Sequence, residues 1–108
     1  MPRGYATEGH RFLYAETESG LVIGSVWLGL SDPRTGSRDG AFLYDIEVAQ
    51  PHRRRGYAKA ILGALERLAS HSGAQALSLN VFGNNQPAIA LYDSCGYRVA
   101  SQQMIKDV

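Results

Sequence analysis

The sequence predicts one α/β (or α+β) domain in which two helices flank a mixed, mostly antiparallel sheet. The 108 residues, 44% of them hydrophobic, suffice for one hydrophobic core and are too few for two. Hydrophobic periodicity is that of strands up to residue 49, then alternates between helix and strand. A strand–helix–strand crossover makes its two strands parallel, so the predicted sheet is mixed.

Three strands are expected in the first half of the chain, at residues 10–17, 21–30 and 41–49. All three are rich in aromatic and branched residues. The first two are joined by a short turn with a glycine and are therefore expected to form an antiparallel hairpin. Residues 31–40 hold glycines, a proline and aspartates and are predicted to be a loop. Simple alternation in the third strand places Phe42, Tyr44, Ile46 and Val48 on one face and Leu43, Asp45 and Glu47 on the other.

Two helices and two further strands complete the predicted fold. Apolar residues recur at spacings of three and four from Tyr57 to Ala69, which indicates an amphipathic helix that ends near residue 73. Residues 77–82 alternate as a strand. Residues 83–87 offer cap candidates and a first-turn proline for a second helix. Its predicted buried stripe is Ala88, Leu91, Tyr92 and Cys95. A last strand is expected at residues 97–105.

Composition and charge exclude several classes of protein. The formal net charge is +1, and the basic residues are concentrated at Arg53, Arg54, Arg55 and Lys59. A nucleic-acid binder would spread such residues along a face, so no nucleic-acid partner is expected. No apolar run approaches the roughly 18 residues that a membrane span requires, so no membrane partner is expected.

The cysteine and histidine residues give expectations about the cellular compartment and about a metal site. A single cysteine, Cys95, and an N-terminus without a signal-like apolar stretch indicate a cytoplasmic protein. His10, His52 and His71 do not have the spacing of metal ligands. No metal is therefore predicted.

Residues 52–58 (HRRRGYA) are expected where the third strand passes into the first helix. The first amides of a helix have no intrahelical partners and carry partial positive charge, so a phosphate group fits there. Gly56 and Ala58 leave the main chain accessible to an anion. The segment is neither a P-loop nor a GxGxxG fingerprint, and the alternative interpretation is a solvated basic helix start.

Two motifs resemble those of the GNAT superfamily of acyl-CoA-dependent N-acyltransferases. Residues 46–58 (IEVAQPHRRRGYA) resemble its [RQ]-x-x-G-x-[GA] motif, with Arg53, Gly56 and Ala58 at the fixed positions. Residues 85–97 (NQPAIALYDSCGY) resemble its second motif, N-x-x-A-x-x-L-Y-x-x-x-G-[FY], at every fixed position. The resemblance covers residues 21–108.

The resemblance implies a central pair of parallel strands that splay apart and hold the pantetheine arm of acetyl-CoA between them. Main-chain groups of Ile46 and Val48 would bind the pantetheine amides, and Asn85 would contact the arm. The pyrophosphate would lie on the loop and helix start, which comprise Arg53, Arg54, Arg55, Gly56, Tyr57, Ala58 and Lys59.

The implied reaction transfers the acetyl group from acetyl-CoA to a primary amine of a peptide, a protein or a small molecule. Tyr92 matches the tyrosine that commonly protonates the departing CoA thiolate. An amine must lose a proton before it attacks, so a nearby carboxylate would act as base. Glu47 is the predicted base and Asp45 the alternative, although both could be surface carboxylates paired with arginines 53–55. Asn80 is a further candidate for contact with the acceptor or the acyl oxygen.

The N-terminal part departs from the family pattern. Members usually begin with a strand and two helices, whereas only about nine residues precede the first predicted strand here. A sheet edge and an apolar face left open in this way favour self-association, so a homodimer is expected. The alternative function is a non-catalytic acyl-CoA-binding regulatory domain. A nucleic-acid module would make few phosphate contacts with one basic cluster, and a purely structural domain would leave the two motifs unexplained.

Overall fold

The computed structural model describes residues 3–7, 9–53 and 56–108, with side chains from residue 9 onward. Arg54 and Arg55, two of the residues predicted to hold the pyrophosphate, lie outside the described residues. The elements are β1 (Arg3–Thr7), β2 (His10–Glu16), β3 (Val22–Gly29), β4 (Gly40–Val48), a 3-10 turn (Gln50–His52), α1 (Tyr57–His71), β5 (Ala76–Leu79) and α2 (Gln86–Ser94).

The five strands form one sheet in the order β1-β2-β3-β4-β5, and this architecture confirms the predicted fold class. The first three pairs are antiparallel and the β4–β5 pair is parallel. The predicted hairpin is present, and the N–H of Gly20 donates to the carbonyl of Thr17 at 2.9 Å in its turn. Within the described residues, no helix is long and apolar enough to cross a membrane.

Both ends of the chain differ from the sequence prediction. Arg3–Thr7 forms an edge strand antiparallel to β2, although the first strand was predicted to begin at His10. Its five residues carry no clear alternation, and pairing with β2 is what makes them a strand. Residues 97–108 form neither helix nor strand, so the strand predicted at 97–105 is wrong. A strand needs a pairing partner, and none of the described strands provides one for this segment.

β4 carries a bulge that changes which side chains share a face. The register runs from Trp27 opposite Asp45 to Leu28 opposite Leu43, so Tyr44 has no partner in β3. The face assignment that simple alternation predicted is therefore wrong, because one extra residue shifts the alternation by one. The side chains of Leu43, Ile46 and Val48 pack in the core or against it. Phe42, Tyr44, Asp45 and Glu47 share the opposite face.

The core lies between one face of the sheet and α1. Val26, Leu28 and Leu43 of the sheet pack with the apolar stripe of α1. Leu28, Leu62 and Leu65 are completely buried, and burial of each such side chain contributes about 1.5–3 kcal/mol. The predicted stripe of α1 is thus confirmed. In α2, Leu91, Tyr92 and Cys95 pack against the margin of this core, so Cys95 is a half-buried packing residue.

Candidate functional site

The two parallel strands separate half-way along β4. β4 and β5 pair only from Gly40 opposite Ala76 to Leu43 opposite Leu79. β5 ends there, while β4 continues to Val48. A cavity of about 170 Å³ opens at this point. It is lined by Leu43, Tyr44, Asp45, Ile46, Leu79, Asn80, Val81, Phe82, Asn85, Ala88 and Tyr92.

The hydrogen-bond ladder between β3 and β4 decides where the main-chain groups of β4 point. Ala49 donates its N–H to the carbonyl of Ile23 at 2.8 Å, so its main-chain groups face β3. These groups alternate in direction along a strand. Ile46 and Val48 therefore direct theirs away from β3, toward the side where β5 has ended. An extended ligand can use these groups as an additional strand would.

Arg53 is folded back onto the end of β4. Its Nε donates a hydrogen bond to the carbonyl of Val48 at 2.9 Å. This side chain was predicted to bind the pyrophosphate. In the structure it restrains the strand end, and the rest of its exposed guanidinium remains available for an anion.

Helix α1 begins without a side-chain cap. Its N-cap is Gly56, which has φ +80° and no side chain that could accept a hydrogen bond from the first turn. The first intrahelical bond runs from the N–H of Ala60 to the carbonyl of Gly56 at 3.1 Å. The amides of residues 57–59 precede that bond and carry the positive end of the helix dipole. Of the side chains there, Tyr57 packs against the core and Lys59 is exposed.

Tyr92 projects from α2 into the cavity wall. Burial raises the pKa of its phenol, and the negative charge of Asp45 raises it further. Tyr92 is therefore held as a neutral hydrogen-bond donor. Its ring packs edge-on against Tyr97, with centroids 5.8 Å apart, and the Tyr97 hydroxyl donates to Glu66 of α1 at 2.9 Å.

The two carboxylates of β4 differ in position. Asp45 lines the cavity together with Tyr92, whereas Glu47 does not line it. Both are exposed, and within the described residues no basic side chain lies within ion-pair distance of either. The bulge at Tyr44 is what places Asp45 beside the separating strands. No sequence pattern in β4 signals this extra residue.

Two asparagines occupy the opposite wall of the cavity. Asn85 caps α2, since its Oδ1 accepts a hydrogen bond from the N–H of Ala88 at 3.3 Å. Its side-chain NH₂ has no acceptor among the described residues and can donate to a ligand. Asn80 follows β5 directly and is exposed at the cavity. Sequence reasoning missed the apolar lining residues Leu79, Val81 and Phe82, and the one signal for them was their position just before the second motif.

The predicted site residues thus meet at two adjoining places. Asp45, Ile46, Asn80, Asn85 and Tyr92 line one cavity, and the helix start at Gly56 follows the strand end that Arg53 restrains. Across the described residues, no cluster of three or more His, Cys, Asp or Glu side chains could hold a metal ion.

The family model of the acetyltransferase (GNAT) family matches residues 3–97 of the chain. The chain belongs to the GNAT family. This family uses acetyl-CoA as its acyl donor.

Two bacterial GNAT relatives match nearly the whole chain. It is 34% identical over 106 residues to YycN, an uncharacterized N-acetyltransferase of Bacillus subtilis (strain 168). That match covers 98% of this chain and 67% of YycN. YdgE of the same organism, also an uncharacterized N-acetyltransferase, is 31% identical over 108 residues, which are 100% of this chain and 68% of YdgE.

Solved GNAT structures share the fold. The crystal structure of YycN superposes with a TM-score of 0.82 at 32% identity, over 94% of this chain and 64% of that chain. Aminoglycoside N-acetyltransferase AAC(6')-Iy in complex with CoA superposes with a TM-score of 0.75 at 20% identity, over 94% of this chain and 78% of that chain. The chain thus spans about two thirds of the length of YycN and of YdgE.

Proposed function

We propose that this protein transfers the acetyl group of acetyl-CoA to a primary amine. The observation that carries the proposal is the cavity at the point where β4 and β5 separate, lined by Asp45 and Tyr92. Family membership supports the choice of donor.

The proposed donor site uses main-chain groups more than side chains. The main-chain groups of Ile46 and the N–H of Val48, which point away from β3, would hold the amides of the pantetheine arm, and the Asn85 NH₂ would donate to the same arm. The carbonyl of Val48 already accepts from Arg53. The uncapped amides of residues 57–59 would bind the pyrophosphate. Arg53, Arg54, Arg55 and Lys59 are proposed to add positive charge around it. The thioester supplies an activated acetyl group when acetyl-CoA is bound.

Tyr92 is the proposed acid. During transfer the C–N bond of the amide product forms and the C–S bond of the thioester breaks, so negative charge develops on sulfur. The raised pKa of Tyr92 keeps its proton in place until that charge appears. The phenol donates a hydrogen bond to the leaving thiolate and passes its proton to the sulfur, so CoA leaves as the thiol. The proton that the carboxylate took from the amine then restores the phenol through solvent.

The proposed base is a carboxylate of β4, which takes the proton that the amine nitrogen loses. Geometry favours Asp45, since it lines the same cavity as Tyr92. Glu47, which the sequence favours, is the alternative. Comparison of Asp45→Asn with Glu47→Gln distinguishes them, because the true base should show the larger loss of kcat, and that loss should shrink as the pH is raised.

We also propose a cytoplasmic homodimer. The sheet edge at β5 supports self-association, as do the exposed apolar side chains of Val99, Met104 and Ile105. A single cysteine is consistent with a reducing compartment. A monomer by light scattering at tens of micromolar protein would exclude the dimer.

Calorimetric titration with acetyl-CoA tests the proposed function without knowledge of the acceptor. We expect saturable binding that is weakened at least about tenfold by Gly56→Glu, which places a carboxylate where phosphate oxygens would lie. Turnover of an amine panel then separates an enzyme from a non-catalytic acyl-CoA-binding domain, which would bind acetyl-CoA and acetylate nothing.

Gly36→Glu is the matched control. Gly36 and Gly56 both have positive φ (+74° and +80°), and a Cβ at either would meet nothing within 4 Å. The two variants therefore carry the same backbone strain and the same added charge, and they differ in position. Equal effects of both variants on acetyl-CoA binding would contradict the proposed phosphate site.

A further inference from the structure

The cavity between β4 and β5 has a closed end and an open end. Leu43 and Leu79 are the last residues that the two strands pair, and beyond them the strands separate. Both residues line the cavity. The Leu43–Leu79 pair therefore forms the closed end, and the open end lies toward Val48 and the start of α1.

The closed end is apolar and firmly packed. Leu43 is 3% exposed and belongs to the core between the sheet and α1. Leu79 is half-buried and packs against the same core. Close-packed side chains do not make room for an inserted group without strain. The closed end can therefore contact a small apolar group, and it resists a larger one.

The proposed donor site fixes the direction in which an acyl-CoA enters this cavity. With the pyrophosphate at residues 57–59 and the pantetheine amides at Ile46 and Val48, the arm runs from the open end back along β4. The thioester and the acyl group then lie nearest the closed end. From Ile46 back to Leu43, β4 covers at most roughly 10 Å. The end of the arm, the sulfur and the acyl chain share this length, so the acyl chain must be short.

We propose that Leu79 and Leu43 limit the acyl-CoA donors of this protein to acetyl-CoA and others whose acyl chain is shorter than about six carbons. The terminal methyl group of such a chain rests against Leu79, and a longer chain meets the packed leucine pair. This inference rests on the proposed function, because it takes the cavity as the acyl-CoA site. It assigns Leu79 to donor selection and to no proton transfer.

Calorimetric titration of the whole protein with CoA, acetyl-CoA and hexanoyl-CoA tests this limit without an acceptor. In an open apolar groove each added methylene would tighten binding, by about fourfold if it were fully buried. Against a closed end, we expect hexanoyl-CoA to bind at least about tenfold more weakly than acetyl-CoA. The ratio of the two dissociation constants measures the limit, because contributions of the shared CoA part cancel in it.

Leu79→Ala should lower this ratio about fivefold or more, because the longer chain gains the vacated volume while the acetyl group loses a contact. Leu77→Ala is the matched control. Leu77 lies two residues earlier on the same face of β5 and is likewise half-buried against the core, but it does not line the cavity. The control should keep the ratio of the parent protein, and urea denaturation compares the stability of the two variants.

Leu79→Val keeps the experiment decisive if Leu79→Ala does not fold. Valine is smaller than leucine by one methylene, and such a deletion costs less stability than truncation to alanine. The ratio should fall in the same direction by a smaller factor.

Three results would overturn the proposed limit. Hexanoyl-CoA that binds the parent protein as tightly as acetyl-CoA would show that the acyl chain leaves the cavity by another route, such as along Phe82, which is 84% exposed. Equal changes of the ratio in Leu79→Ala and Leu77→Ala would trace the limit to general packing of β5. A ratio unchanged in both Leu79 variants would place the closed end elsewhere.

The same titrations separate this inference from the proposed function. Binding of CoA and acetyl-CoA without weaker binding of hexanoyl-CoA would overturn the chain-length limit alone. Failure of CoA and of both acyl-CoA ligands to bind would overturn the proposed donor site itself, and the limit with it.

Discussion

At the scale of single residues, Tyr92 links the proposed chemistry to the packing of α2. Its ring packs against the core margin and against Tyr97, while it lines the cavity beside Asp45. The same burial that raises the pKa of its phenol also makes the side chain part of the hydrophobic structure. Removal of the hydroxyl alone therefore tests the chemistry with little change in packing.

For Tyr92→Phe we expect kcat to fall about 10-fold to 100-fold, at the low end of general acid catalysis, because a thiol with a pKa near 8.5 leaves with modest help. KM for acetyl-CoA should stay unchanged. Steady-state kinetics with a saturating amine measure both constants. Tyr97→Phe is the control, since it removes a hydroxyl from the neighbouring ring, which does not line the cavity. Weakened acetyl-CoA binding with normal turnover would contradict the role of Tyr92.

At the scale of elements, the close contact between β3 and β4 positions the open end of β4. Gly24 pairs with Val48, and a Cβ at Gly24 would overlap the carbonyl oxygen of Glu47. Only glycine lets the two backbones approach this closely. Contact with β3 therefore positions the end of β4, including the main-chain groups of Val48.

Gly24→Ala is expected to lower the free energy of unfolding by about 1–3 kcal/mol, as overpacking does, because backbone must move to admit the methyl group. Displacement of β4 should also weaken acetyl-CoA binding. Urea denaturation and calorimetry measure the two effects. Gly63→Ala in α1 is the control, because its Cβ would meet only the end of the Arg67 side chain, at 3.6 Å, and alanine favours a helix. A stable Gly24→Ala variant with normal affinity would contradict this role of β3.

At the scale of the whole molecule, the contact between the segment after α2 and helix α1 depends on a protonated phenol. The Tyr97 hydroxyl donates to the Glu66 carboxylate across the two elements. Burial raises the pKa of Tyr97 well above its ordinary value, and the hydrogen bond to Glu66 and the charge of Glu66 raise it further. Burial also raises the pKa of Tyr92.

The free energy of unfolding should consequently fall as the pH is raised into the alkaline range. Below about pH 10 the folded and unfolded chains both keep these phenolic protons, so the contribution of the two tyrosines to stability is fully present. Above that pH the unfolded chain releases protons that the folded chain retains, so the free energy of unfolding falls as the pH rises. Urea denaturation between pH 8 and pH 11 measures the slope.

Tyr97→Phe should reduce this alkaline slope, because the group responsible for much of it is gone. Tyr14→Phe, which removes the hydroxyl of a half-exposed tyrosine of β2, should leave the slope close to that of the parent protein. An unchanged slope in Tyr97→Phe would show that its phenol does not couple folding to pH.

The sequence by itself determined the fold class, the hairpin, both helices and the family. These features depend on local periodicity and on residues close in the chain, such as the apolar stripe that ends at Ala69 and the motif from Asn85 to Tyr97. The position of Gly56 at the start of α1 is predictable for the same reason.

Tertiary structure decided the features that depend on pairing between distant segments, namely the edge strand, the C-terminal segment and the bulge in β4. Pairing with β2 makes Arg3–Thr7 a strand. Residues 97–108 pair with none of the described strands and form no strand. The bulge at Tyr44 depends on the register between β3 and β4, and it reverses the alternation in β4. Asp45 thereby lines the cavity between the separating strands, a position that no periodicity within a single strand encodes.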